Sequence, residues 1–330
     1  MTKPLASILI PTIGRDAFIE QTIESAQAQT LPDLEVIVLD NASPTSSARR
    51  LMEWADADKR VRVLRSDTFL PMFANFNRGI AVANGEYVTF FHDDNVYAPG
   101  FLEAMVSGLE THPSAGLAGS NYEFIDERGR VIERRRWIRS TGLVDGRSYI
   151  QSLIRRGRSI ITMNDLVFRR PVLQGAFDDS LSIHFGDFVL LMRIAESWNL
   201  FLSADSLMKV RRHLGQASQS IPLSRGIPQR TRVLNDYCVE YLARHPNEKS
   251  SVTKLQRRIA LLHRVGMIWG WAFASDLSEA TACMNQLGES TIDSGLKTVM
   301  RTIDNTPLRT VLRSPAWLSI ARKVGTILGV

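Results

Sequence analysis

Glu86-Tyr87-Val88-Thr89-Phe90-Phe91-His92-Asp93-Asp94-Asn95 is a short apolar run that ends in two adjacent carboxylates. The run is too continuous for a half-exposed strand, in which apolar and polar residues alternate, so it predicts a strand buried on both faces. Upstream, Ala6-Ser7-Ile8-Leu9-Ile10 reads the same way and is stopped by Pro11-Thr12. Leu34-Glu35-Val36-Ile37-Val38-Leu39 is a third such run, ended by Asp40-Asn41-Ala42-Ser43-Pro44, and Val61-Arg62-Val63-Leu64 a fourth. Helical periods separate them. Residues 16–29 place Phe18, Ile19, Thr22, Ile23 and Ala26 on one face; residues 46–56 and 75–84 predict two more helices. Pro99 opens another, with Phe101, Leu102, Met105 and Leu109 inward. This alternation predicts an α/β fold, a mostly parallel sheet with helices on both faces. Ligands of such sheets bind at the carboxyl ends of the strands, here Pro11-Thr12, Asp40-Asn41 and His92-Asp93-Asp94-Asn95.

Beyond residue 114 the pattern mixes. Residues 115–118, 121–125 and 160–168 predict strands, 128–130 a turn, 142–156 a helical section and 188–196 a helix after Gly186-Asp187. The polar, Gly- and Pro-containing stretch 214–228 predicts a boundary, and 230–330 is read as helical. The expected division is therefore 1–220 and a helical extension over 221–330.

Composition narrows the classes. The 330 residues are 44% hydrophobic and 22% charged, which excludes a disordered or collagen-like chain. Cys238 and Cys283 stand alone, in no CxxC or Cys/His pattern, so a zinc site is not predicted and a reducing compartment is. Pro11 interrupts the early apolar stretch, against a secretory signal, and the longest near-apolar run, Val265 to Ala274, is too short to span a bilayer. Forty basic residues against 34 acidic give a net charge of +6. Residues 296–330 carry Lys297, Arg301, Arg309, Arg313, Arg322 and Lys323 against Asp304 alone. Such surface suits anionic ligands without choosing among them.

Adjacent carboxylates at a strand end repel unless a cation sits with them. Hard oxygen donors at an open rim suit Mg²⁺ or Mn²⁺ shared with phosphates, while a solvated loop with Asp94 or Asn95 capping a helix is the plainer alternative. Asp187, at the start of Phe188-Val189-Leu190-Leu191-Met192-Arg193, is either an N-cap or a general base for a hydroxyl nucleophile.

In that order the stretches resemble the family 2 glycosyltransferases of GT-A fold, over residues 6 to about 218. Ser7-Ile8-Leu9-Ile10-Pro11-Thr12 is similar to the family's first strand and nucleotide-contacting turn, and Val36-Ile37-Val38-Leu39-Asp40-Asn41-Ala42-Ser43 to the strand and acidic turn holding base and ribose. Asn77-Arg78-Gly79-Ile80-Ala81 with Gly85-Glu86-Tyr87-Val88 resembles the approach to the metal motif, where Asp93 and Asp94 fall. Gly175-Ala176-Phe177-Asp178 and Gly186-Asp187 resemble the segment of the acceptor-side base, and Arg211-Arg212-His213 before Gln216-Ala217-Ser218 the closing basic motif. The acidic turn departs from the common Asp-Asp, the metal motif from a spaced Asp-x-Asp, and Gly186 replaces an acid.

The resemblance implies a Rossmann-like sheet and an inverting transfer from a UDP-, dTDP- or GDP-sugar to a saccharide or lipid-linked saccharide. Asp187 is then the catalytic base; Pro11, Thr12, Arg15, Asp40, Asn41, Asn77, Arg78 and Asp93 meet the nucleotide. Asp94 with Asp93 or His213 holds Mn²⁺ or Mg²⁺, and Arg211 and His213 meet the diphosphate. Whether Asp93 serves ribose or metal stays open. A role in cell-envelope polysaccharide assembly and a cytoplasmic location follow from the same resemblance.

Neither GxGxxG nor GxxxxGK[ST] nor a nucleophile elbow is present, which disfavours a dinucleotide enzyme, an ATPase and an α/β-hydrolase. A sugar-nucleotide pyrophosphorylase would want a Gly-rich basic loop where Pro11-Thr12-Ile13-Gly14-Arg15 stands; a non-catalytic glycan- or nucleic-acid-binding module is the remaining alternative, though no nucleic acid is expected. Arg134-Arg135-Arg136-Trp137 with Arg139 is either solvated surface or the seat of an anionic acceptor. Trp317, Ile320, Ala321, Val324, Ile327 and Leu328 recur at helical spacing, so the C-terminal segment is either a packed helix or an interfacial one at the inner face of a membrane.

Overall fold

In a computed structural model of the chain the described residues are 3–300, apart from 15, 157–158, 174, 176, 178–185, 214–222, 274–276, 288–292, 295 and 299. The chain divides into two compact units, Met1–Ile150 with Ile160–Leu214, and Gln151–Ser159 with Gly215–Val330.

The first unit opens as β1 (Ala6–Thr12), α1 (Asp16–Gln27), β2 (Leu34–Asn41), α2 (Thr45–Ala57), β3 (Val61–Ser66), α3 (Met72–Val82) and β4 (Tyr87–Phe90). The four strands are parallel in the order β3-β2-β1-β4. Their runs are apolar throughout because both faces are covered. Ile8, Ile10, Val36 and Val38 pack with Ile19, Ile23 and Ala26 of α1. On the other face Gly79 of α3 abuts Leu9 and Leu39, and Phe76 stacks on Phe90 at 4.7 Å between ring centres. Pro71 caps α3, which starts three residues before the expected Asn75.

The chain continues as β5 (Val96–Tyr97), α4 (Phe101–Thr111), β6 (Ala115–Ile125), β7 (Val131–Arg135), β8 (Gly142–Val144), α5 (Gly146–Arg156, whose second half belongs to the other unit), β9 (Leu166–Arg169), α6 (Gly186–Ser197) and β10 (Asn199–Arg211). Strand β9 runs antiparallel between β4 and β6, so the sheet is mixed; among the described residues only β6 and β10 pair parallel in this half. The two short strands expected over 115–125 are one. Strand β10 had no counterpart in the sequence reading, because bulges between Ser203 and Met208 shift its register on β6 and destroy the alternation a strand would display.

In the second unit α7 (Leu223–Arg244), α8 (Lys249–Phe273) and α9 (Leu277–Asn285) enclose Ile227, Met267, Cys283, Met284, Leu287 and Met300. Helix α7 begins inside the expected loop and contains Pro228, whose ring fixes a helix-compatible φ at the expense of one N–H. Burial pushes the Cys238 thiol up to about 12 and that of Cys283 up to about 11, so both are inert. Among the described residues no helix is long and apolar enough to cross a membrane. The amphipathic segment 316–328 lies outside the described residues.

Candidate active site

Strand order reverses at β1, which has β2 on one side and β4 on the other. Loops leaving the two flanking strands part there and open a crevice. Thr12, the last residue of β1, is in register with Asp40 of β2. Its hydroxyl donates to Asp93 Oδ2 at 2.8 Å and accepts the Gly14 N–H at 3.0 Å, joining the rims after β1 and β4. Gly14 has φ +80°, and a Cβ there would lie 2.8 Å from Ser43 Cβ, so the turns after β1 and β2 also touch.

Asp40 is fully buried, and two groups compensate its charge. Oδ1 accepts the Ser43 N–H at 2.9 Å, and Oδ2 pairs with Arg65 of β3, which also donates to the Ser43 carbonyl at 3.0 Å. Asn41 exchanges two hydrogen bonds with the backbone of Leu70, at 2.8 and 2.9 Å. That clamp presents the adjoining Phe69, which is 70% exposed. Between the acid and its partner, Ala42 adopts φ 60°, a left-handed backbone that costs an alanine about 1–2 kcal/mol.

Asp94 is gripped through both backbone and side chain. Its Oδ2 lies 3.1 Å from His213 Nε2, and the imidazole rests on Phe18 at 5.0 Å between ring centres. Its carbonyl accepts from Arg211 Nε at 3.0 Å, while the Arg211 N–H donates to Asn95 Oδ1 at 3.0 Å. The expectation placed Arg211 at a diphosphate. The structure instead buries it completely, with its guanidinium also donating to the Asp126 and Glu127 carbonyls and to Gln21 Oε1, and lying 4.6 Å from the Phe18 ring centre. Burial pushes its pKa down against the pull of Asp94, Asp126 and Glu127. Arg211 therefore positions Asp94, and His213 is the member of the basic motif that reaches it.

Asn77 and Arg78, expected at the nucleotide, each donate to a backbone carbonyl. Asn77 Nδ2 donates to the Phe177 carbonyl at 2.8 Å, and Arg78 to the Leu64 carbonyl at 2.6 Å. Pro11 pairs with Leu39 in the ladder. Arg15, Asp178 and residues 216–218 lie outside the described residues.

Asp187 sits in the first turn of α6 and accepts the Phe188 N–H at 2.8 Å. Among the described residues it has no hydrogen bond to the Asp93–Asp94 rim but is coupled to it by packing. Gly186 lies directly on the Phe73 ring, Phe73 packs on Phe76 at 6.3 Å, and Phe76 meets His92 edge-on at 6.2 Å. Although Asp187 retains partial exposure, desolvation of its carboxyl pushes the pKa up to about 6, opposed by the Phe188 and Asp187 N–H groups. A carboxylate so tuned can hold or release a proton near neutrality.

Sequence reading missed Arg65, Gln21 and Phe18. Arg65 ends a strand recognised only to Leu64, and the other two lie on a helix read solely for its apolar face; their partners Asp40, Arg211 and His213 are remote in sequence.

Comparison with known proteins agrees with this geometry. The model of glycosyl transferase family 2 matches residues 7–177. An uncharacterized glycosyltransferase of Methanocaldococcus jannaschii is 29% identical over 135 residues, 40% of this chain and 47% of that protein. One from Haemophilus influenzae is 31% identical over 134 residues, 40% of this chain and 53% of the relative. The chain thus spans about half the length of these curated relatives. Among solved structures, S. aureus TarS 1–349 in complex with UDP-GlcNAc superposes with TM-score 0.66 at 17% identity, covering 93% of this chain and 90% of that one. The mannosyltransferase from Pyrobaculum calidifontis in complex with GDP-Man and Mn²⁺ gives 0.55 at 17% identity, covering 99% and 88%. At such identity these likenesses show a shared fold. With the family model matching more than half of its residues, on the strands that build the crevice, the chain belongs to glycosyl transferase family 2.

Proposed function

We propose that the chain transfers a sugar from a UDP-, dTDP- or GDP-sugar to a hydroxyl of a saccharide or lipid-linked saccharide, with inversion. The observation that carries this is the pair of hydrogen bonds at the strand reversal, Thr12 to Asp93 and His213 to Asp94, which gathers acidic and basic groups from β1, the β4 loop and the end of β10. Residues 1–220 would carry the chemistry, and 221–330 a helical extension. Contact with the inner face of a membrane and a place in envelope polysaccharide assembly belong to the same reading. TarS with UDP-GlcNAc and the mannosyltransferase with GDP-Man support the donor class by analogy of fold.

The residues present suit a divalent cation. Asp94 and His213 offer an oxygen and a nitrogen donor already 3.1 Å apart. Among the described residues no three His, Cys, Asp or Glu cluster as a closed site. Two protein ligands, with phosphate oxygens and water completing the shell, is the habit of Mg²⁺ and Mn²⁺ at nucleotide sites. When bound, the ion supplies charge neutralisation for a leaving diphosphate.

In this reading Asp93, tied to Thr12, serves the ribose, and Asp40 with Asn41 the base. Asp187 accepts the proton of the acceptor hydroxyl; the oxygen bonds to the anomeric carbon as the bond to the diphosphate breaks, and the nucleoside diphosphate departs. Calorimetry with UDP, dTDP and GDP, with and without Mn²⁺, tests the reading. One nucleotide should bind in a metal-linked manner, Asp94→Ala should remove the linkage, and Asp187→Ala should bind normally yet release no nucleoside diphosphate in the presence of acceptor. Failure of all three nucleotides to bind would sink the proposal.

A further inference from the structure

Away from the crevice, a cavity of about 580 Å³ lies between the β6–β7 hairpin and the bulged part of β10. Its lining includes Arg134, Arg136 and Arg139 with Glu123, Asp205 and Ser206. The charges are not equivalent. Arg134 and Glu123 satisfy each other at 2.7 Å. Asp205 is folded back on its own turn, its N–H bonded to Ser203 Oγ at 3.2 Å and its Oδ2 accepting from that hydroxyl at 3.3 Å. Arg136 and Arg139 are exposed and have no hydrogen-bond or ion-pair partner among the described residues.

The wall holding these two arginines is fixed from behind. Ile138, between them, is buried, and its N–H and carbonyl both bond the side chain of Asn121, at 3.0 and 2.8 Å. The same Asn121 amide donates to the Ala204 carbonyl at 2.8 Å, and Thr141 Oγ1 accepts the Ala204 N–H at 3.0 Å. One buried amide thus ties both sides of the cavity, the arginine segment and the bulge. A loop carrying solvated charge needs no such bracing. Two guanidiniums carried on one braced segment and lining one cavity suit an oxyanion, which guanidinium binds by charge-assisted hydrogen bonds.

We propose that this cavity binds an anionic saccharide, a sugar bearing a phosphate or a carboxylate, with Arg136 and Arg139 reading the charge. On the reading of the chain as a glycosyltransferase, this makes the acceptor an acidic glycan. Glu123 of the lining is three residues upstream of Asp126, whose carbonyl accepts from Arg211, the residue that braces Asp94, so cavity and crevice share strand β6 as a support.

The test is equilibrium binding of glucose 6-phosphate, glucuronate and glucose to the full chain, by calorimetry and saturation-transfer NMR. A charged sugar should bind where glucose does not, and Arg136→Gln with Arg139→Gln should weaken it about tenfold or more. Binding of the phosphate alone, the carboxylate alone, or both identifies the charged group. Asp94→Ala should leave this binding intact, and the double variant should leave UDP, dTDP and GDP affinities intact, so the cavity and the nucleotide crevice fail independently. Both substitutions of the double variant fall on exposed arginines, and an unchanged circular dichroism melt checks the fold. No binding of either charged sugar, equal binding of glucose, or unchanged affinity in the double variant would overturn the proposal.

Discussion

Replacing Arg211 by Met keeps most of the side-chain volume and removes the cation. Four acceptors lose their donor: the carbonyls of Asp94, Asp126 and Glu127 at 3.0, 3.0 and 3.1 Å, and Gln21 Oε1 at 2.6 Å. At ~1.5–3 kcal/mol for each bond to a charged group the gross loss is ~6–12 kcal/mol. Burial works against the cation, as the lowered pKa records, and methionine packs well, so the net cost falls to ~3–5 kcal/mol, the range for breaking a buried charged network. For a unit of this size that lowers the melting temperature by roughly 6–20 °C. Asn95 still holds the backbone N–H at position 211, so the Asp94 loop loosens without detaching. A group that orients a metal ligand from behind is worth ~10–100-fold in metal affinity, so Mn²⁺ binding should fall by that factor. Arg211→Lys keeps the charge but offers one nitrogen where three are used, and should recover little. Differential scanning calorimetry and Mn²⁺ titration of the three proteins decide the matter. If Arg211→Met melts within about 2 °C of the parent and binds Mn²⁺ equally, the bracing role assigned to this guanidinium is wrong.

Further outcomes follow from α6. The Asp187 carboxyl holds its proton up to about pH 6, whereas in the unfolded chain it lets go near the usual value of 3.8. Below both values neither state is favoured; between them the folded form binds the extra proton and stability declines, reaching its full penalty above about pH 6. Urea titrations should therefore find Asp187→Asn more stable than the parent above pH 6 with the advantage vanishing toward pH 4, and kcat/KM of the parent should rise through about pH 6. Gly186→Ala drives a Cβ into the Phe73 ring, costs ~1–3 kcal/mol of overpacking, and should lower kcat while leaving nucleotide affinity unchanged. Unaltered kcat in that variant would detach α6 from the chemistry.

The parallel half of the sheet was readable because burial on both faces leaves Ile8 to Ile10 and Val36 to Leu39 almost purely apolar, a pattern that few alternatives produce. Asp93, Asp94 and His213 were readable as residue types at strand ends. What the sequence concealed was how the polar groups are used. Arg211 reads as a ligand-facing cation, yet its acceptors are mostly backbone carbonyls, and carbonyls carry no sequence signature. Arg78 and Asn77 likewise donate to backbone carbonyls, partners that no sequence pattern announces. Strand β10 escaped because its bulges exchange inward and outward positions partway along, and the start of α7 because prolines at 222 and 228 mimic a loop.

The left-handed Ala42 has a consequence for how the acidic turn would meet a ligand. A backbone held in that region persists only when its neighbours leave it no alternative, and here Asp40 and Arg65 fasten Ser43 from both its N–H and its carbonyl. The loss of freedom in this turn falls on folding, before any visitor arrives. Arrival at that end should then be close to lock-and-key, with little tightening of the main chain around the newcomer and correspondingly rapid entry.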